Sequence, residues 1–152
     1  MNNKTAKVIV KSRIVQCRVD EVWWKWTTNE GLLSFFGSDN KIELKLGGAF
    51  EIYFLMDNPV GLKGAEGCKI ISYLPEKMLS FTWNAPPEYP KIRNHKHKTW
   101  VVVNFKSIQK DKTEIVLNHL GWLKDKEWDE VYSYFDTAWE RVLDWLEKSC
   151  EK

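Results

Sequence analysis

The chain has 152 residues, 43% of them hydrophobic and 29% charged, with a formal net charge of +2. That balance fits one globular unit spanning residues 1–152 and excludes a collagen, a wholly disordered chain or a disulfide scaffold. It also argues against nonspecific nucleic-acid binding, which needs a strong positive excess.

Residues Lys7 to Gln16 are rich in Val and Ile, with Val8, Val10 and Ile14 in alternation, which predicts a first strand. Val19, Val22, Trp23 and Trp26 follow at helical spacing, with Asp20 and Glu21 in the first turn, where the helix dipole favours anions. Thr27 and Glu30 have the spacing of a capping box, which predicts a second short helix that ends at Gly37. From Lys41 the period changes to two. Lys41–Leu46 and Ala49–Leu55 flank Gly47-Gly48, a two-residue hairpin signal. Further strands are predicted near Glu66–Tyr73 and at Met78–Trp83, with Pro75 between them. Asn84–Lys98 is a polar connection, and Trp100–Gln109 and Lys112–His119 are two more strands joined at Lys110-Asp111. The last element is a long helix over about Glu127–Lys148, with an apolar stripe at Trp128, Val131, Phe135, Ala138, Trp139, Val142 and Leu146. Short connections imply antiparallel neighbours, so the class is α+β.

The three cysteines, Cys17, Cys68 and Cys150, show no zinc or CxxC spacing. Met1–Lys7 is polar and lacks an apolar signal core, and no run is long enough to span a membrane. A cytoplasmic location is the expectation. The C-terminal part from Lys124 onward has nine acids and five bases, read as a solvated helix face.

Four stretches together resemble a known superfamily. Val22-Trp23-Trp24-Lys25-Trp26-Thr27-Thr28-Asn29-Glu30-Gly31-Leu32-Leu33 is similar to the opening helical segment of the SRPBCC (START-like) proteins. Leu46-Gly47-Gly48-Ala49-Phe50 resembles their Gly-Gly hairpin. Gly67–Trp83 is similar to their glycine, strand, proline, strand, tryptophan stretch, and Thr113–Trp122 to the landmark before the last helix. The branch resembled is that of homologues of the activator of the heat shock protein 90 ATPase. The resemblance implies a helix-grip fold, in which a curved antiparallel sheet of about six to seven strands surrounds the long C-terminal helix. Two short helices follow the first strand. It further implies a hydrophobic cavity and, as partners, a small apolar molecule or a heat-shock chaperone, with the chain a monomer or a homodimer.

Aromatic residues make up 14% of the chain, nine of them Trp. Each buried ring contributes about 150–250 Å² of apolar area, so either the core is unusually aromatic or some rings line a cavity. Trp83, Trp100, Trp122, Trp128 and Trp139 are candidate pocket walls. His119 shares strand parity with Ile115 and Leu117 and is a candidate polar contact or base, with Tyr53 a second candidate for orienting a ligand. The expected ligand-binding set is Phe54, Trp83, Trp100, His119, Trp122, Phe135 and Trp139. No catalytic motif, cofactor loop or metal set is visible. His95 and His97 sit among Lys91, Arg93, Lys96 and Lys98, which repel a cation and offer an anionic partner a basic stretch. The expected function is binding of a small hydrophobic or aromatic ligand between sheet and C-terminal helix. The alternatives are a cochaperone-like interaction module and a cyclase- or hydrolase-type enzyme.

Overall fold

The computed structural model describes residues 5–151; Lys152 and Met1–Lys4, where the sequence shows no apolar signal core, lie outside the described residues. The order is β1 (Ile9–Val15), α1 (Val19–Thr27), α2 (Asn29–Leu33), β2 (Asp39–Ile42), β3 (Phe50–Tyr53), β4 (Ile70–Leu74), β5 (Met78–Trp83), α3 (Pro90–Arg93), β6 (Thr99–Gln109), β7 (Lys112–Leu120) and α4 (Lys126–Ser149). Five strands form one antiparallel sheet in the order β1-β7-β6-β5-β4, and β2 and β3 form a separate pair. The pair meets the large sheet beside β4, where Ala49 bridges Lys69 and the Phe50 N–H donates to the Cys68 carbonyl at 2.8 Å. The expected curved sheet is therefore a five-stranded sheet extended by a hairpin, with α4 packed across its concave face.

Period-two patterning sets which side chains reach the core. Val101, Val103 and Phe105 on β6 and Ile115, Leu117 and His119 on β7 are buried, while their neighbours face outward. Helix α4 starts at Asp125, whose carboxylate accepts from the backbone N–H groups of Glu127 at 2.7 Å and Trp128 at 3.4 Å. One face of α4 buries Trp128, Val131, Phe135, Trp139, Val142, Leu143 and Leu146. The acids on its outer face are gathered by β1. Lys11 lies 3.1 Å from Asp136, and Arg13 reaches Asp144 at 2.6 Å, Glu147 at 2.9 Å and Glu140 at 3.0 Å.

Three local expectations change. The cap of α2 is Thr28, whose hydroxyl accepts from Gly31 N–H at 2.9 Å; the Thr27 hydroxyl donates back to the Trp23 carbonyl instead. The Gly47-Gly48 turn is wider than two residues, because Ile42 pairs with Phe50 and residues 43–49 loop out to bond β4 through Gly47 and Gly48. Cys17 and Cys150, 133 residues apart, form a disulfide that ties the start of α1 to the end of α4, leaving Cys68 as a buried thiol. The odd count and wide spacing gave no sign of this pairing.

Candidate functional site

The space under α4 is unevenly filled. Around Trp122, Trp128, Val131 and Thr99 only about 10 Å³ remains, no more than about one water's worth. Farther along the helix two adjoining chambers open, of about 220 and 280 Å³. They share Phe54, Trp83, Tyr134 and Phe135. Phe36, Trp139 and Val142 complete the wall of the first, with Ala138, Arg141 and Trp145 toward its mouth. Gly64, Ala65, Ala85 and the Pro86-Pro87 turn complete the second, with Glu88 at its edge.

Aromatic packing builds the wall. Phe36 sits 5.5 Å from Phe54, 5.9 Å from Trp83 and 6.1 Å from Trp139, ring centre to ring centre. Trp83 and Trp139 are 5.3 Å apart. Such pairs add to area burial and hold the rings in place. The Trp83 indole N–H is buried and has no acceptor among the described residues. Burial, with Glu88 nearby, raises the Tyr134 phenol above its ordinary pKa, while Arg141 acts the other way.

Of the expected set, Phe54, Trp83, Phe135 and Trp139 line these chambers. The other three do not. Trp100 projects from the outer side of β6, and its ring packs against Gly121. A Cβ at Gly121 would lie 2.3 Å from that ring, and its φ of +90° is one that side chains rarely adopt. Trp122 is buried in the filled region, where its indole N–H donates to the His119 carbonyl at 2.9 Å. His119 points inward as its strand parity requires, but its partners are all protein. Trp139 Nε1–H donates to His119 Nδ1 at 2.9 Å, so Nε2 carries the proton and donates to Thr99 Oγ1, 2.8 Å away. Burial lowers the His119 pKa to about 3. It is a neutral, satisfied core residue and touches neither chamber. Tyr53 is likewise occupied, donating to Glu51 Oε1 at 2.5 Å.

Phe36, Tyr134, Ala138, Arg141, Val142 and Trp145 also line the first chamber and lie outside the expected set. Tyr134, Arg141 and Trp145 repeat at helical spacing with Ala138, along the edge of the core stripe. Two exposed aromatics on that line, Tyr134 and Trp145, were the available signal.

The model for activator of Hsp90 ATPase homolog 1-like proteins matches residues 16–151. The chain belongs to this family. No curated protein matches it in sequence. A protein from Mesorhizobium loti is similar in structure with a TM-score of 0.73 at 17% identity, covering 94% of this chain and 96% of that one. The Aha1 dimer from Colwellia psychrerythraea gives 0.70 at 15% identity, over 95% of this chain and 96% of that one. An HSP90 activator from Plasmodium falciparum gives 0.64 at 16% identity, over 87% and 86%. These likenesses establish the helix-grip fold.

In this activator-homologue chain the connection between β5 and β6 is tied down by one buried cation. Arg93 donates to the carbonyls of Gly64 and Ala85 at 2.7 Å and of Gly61 at 2.8 Å, and pairs with Glu66 at 3.1 Å. It thereby fixes Gly64, Ala65 and Ala85 as the wall of the second chamber. Backbone N–H groups of Lys63 and Gly64 and the Arg93 charge hold the Glu66 carboxyl below its ordinary pKa against the cost of burial. His97 donates from Nε2 to the Gly121 carbonyl at 2.6 Å, and His95 accepts from the His97 N–H at 3.0 Å. Both rings pack edgewise on Trp128, and no group of three metal-ligating side chains occurs among the described residues. No helix among the described residues is long and apolar enough to cross a membrane.

Proposed function

We propose that this protein binds a small apolar or aromatic molecule in the paired chambers under α4. The observation that carries the reading is the aromatic wall of Phe36, Phe54, Trp83, Phe135 and Trp139 around open space that the same rings leave unfilled. Burial of apolar ligand surface, at roughly 25 cal/mol per Å², supplies the affinity. His119, the candidate base, lies outside both chambers, and the reading is one of binding.

The test is fluorescence titration with N-phenyl-1-naphthylamine, a neutral aromatic probe. Wild type binds with a blue shift. Ala138→Trp, which places an indole in the first chamber, weakens binding about tenfold or more. Trp24→Gln, which removes an exposed aromatic outside the lining of both chambers, leaves it unchanged. Absence of binding by the folded wild type, or equal binding by Ala138→Trp, refutes the reading.

A second reading is favoured by family membership and by the neighbour described as an HSP90 activator. In it the chain contacts a chaperone of the Hsp90 type through its surface. Stimulation of purified Hsp90 ATPase, undiminished by Ala138→Trp, supports it; no effect at saturating protein removes it.

A further inference from the structure

We propose that the molecule held in the chambers carries an acidic group, a carboxylate or sulfonate, that pairs with Arg141 at the mouth of the first chamber. The proposal rests on the cavity reading above and adds the chemical class of the ligand.

Helix α4 distributes its charge unevenly. Its acids at Asp136, Glu140, Asp144 and Glu147 face β1, where Lys11 and Arg13 take them up. Arg141 is the one base between Lys126 and Lys148. It projects from another side of the helix, beside Ala138 and Trp145, into the rim of the first chamber. Among the described residues no carboxylate lies within ion-pairing distance of it. Arg141 is also the only cation in the lining of either chamber.

The second chamber is the opposite. Its only charged lining residue is Glu88. The lining of the first chamber therefore carries one positive group and that of the second one negative group, both close enough to act on the shared Tyr134, amid apolar rings. An anionic ligand is oriented by that field with its acid toward Arg141 and its rings toward Trp83 and Phe54. A guanidinium suits such a group because its planar fork matches a carboxylate in two parallel hydrogen bonds. The Trp83 indole N–H, buried and without a protein acceptor, offers a second donor to a carbonyl or ether within the ligand body.

The experiment compares two probes of one skeleton. N-Phenyl-1-naphthylamine is neutral, and 8-anilinonaphthalene-1-sulfonate adds one sulfonate. Both are titrated into the full chain, as wild type, Arg141→Gln and Arg141→Lys, with the circular dichroism melting curve checked for each. The expected result is that Arg141→Gln raises the Kd of the sulfonate about fivefold or more and leaves that of the neutral probe within twofold. Arg141→Lys recovers part of the loss, and 0.5 M salt narrows the gap between wild type and Arg141→Gln. Equal loss of both probes in Arg141→Gln, or loss of neither, overturns the proposal and leaves the cavity reading standing. Failure of both probes to bind wild type overturns the cavity reading and this proposal with it.

Discussion

His119 offers a quantitative test of the core. In the folded chain its Nδ1 accepts from Trp139 Nε1–H and its Nε2–H donates to Thr99, with Phe135 and Trp122 packed around the ring. No ionisable side chain touches it. Protonation would set an N–H against the Trp139 N–H in a site with no water to absorb the charge, so the folded pKa falls to about 3. The unfolded chain has the ordinary value near 6.5. The contribution of the neutral ring to stability is complete above the unfolded pKa and is lost as pH falls toward the folded one. Between pH 7.5 and 4.5 the unfolded chain gains a proton that the folded chain refuses, a loss of about 3 kcal/mol. Carboxylates contribute over the same range, so the reading is the difference between wild type and His119→Gln. The amide keeps a donor toward Thr99 and cannot take up the proton. Urea unfolding followed by Trp fluorescence at pH 7.5, 6.5, 5.5 and 4.5 supplies the numbers. The stability advantage of wild type should shrink by about 3 kcal/mol across the series, steepest below pH 6. A difference that stays constant within about 0.5 kcal/mol refutes the buried, neutral assignment.

Two further outcomes follow from the tertiary contacts. The Cys17–Cys150 bridge closes a loop of 133 residues, for which the chain-entropy model gives about 5 kcal/mol. Reductant, or the double change to Ser, should lower the unfolding free energy by a matching amount, read as a fall in the urea midpoint. Alkylation of the unfolded oxidised chain should then find one thiol, Cys68, and three after reduction; an unchanged midpoint on reduction counts against the pairing. Arg93→Met should cost about 3–5 kcal/mol, because three carbonyls lose their Arg93 donor and the Glu66 carboxylate loses its counterion together. The same variant should weaken N-phenyl-1-naphthylamine binding through the second chamber, which thermal melts and titration read separately.

Much of the fold was legible because it repeats. Alternation over 99–109 and 112–120 has one buried face whichever partner it meets, and the stripe from Trp128 to Leu146 needs only a surface to lie on. Turn chemistry was less legible. Thr27 and Thr28 are both chemically fit to cap α2, and only the backbone trajectory out of α1 decided for Thr28. Glycines at 47 and 48 suited a tight hairpin, yet their backbone groups serve β4, a strand some twenty residues later.

The site divides in the same way. Composition alone determined that this chain carries more aromatic rings than an ordinary core, and helical spacing put Trp128, Phe135 and Trp139 on one face of the last helix. Which rings fill space and which surround it depends on how α4 crosses the sheet, and that is set by contacts far apart in sequence. Trp100 and Trp83 both looked like wall residues, but the register of β6 turns the first outward onto Gly121. His119 had the parity of a ligand contact, and only the arrival of Trp139 and Thr99 from other elements consumed its two nitrogens. Arg141 was one charge on a helix face until β1 took up the neighbouring acids and left it alone at the mouth of the cavity. Local sequence determines period, propensity and cap chemistry because those act over one turn or one pleat. Cavities, pairings and free charges are properties of surfaces brought together from distant segments, so the tertiary structure alone decides them.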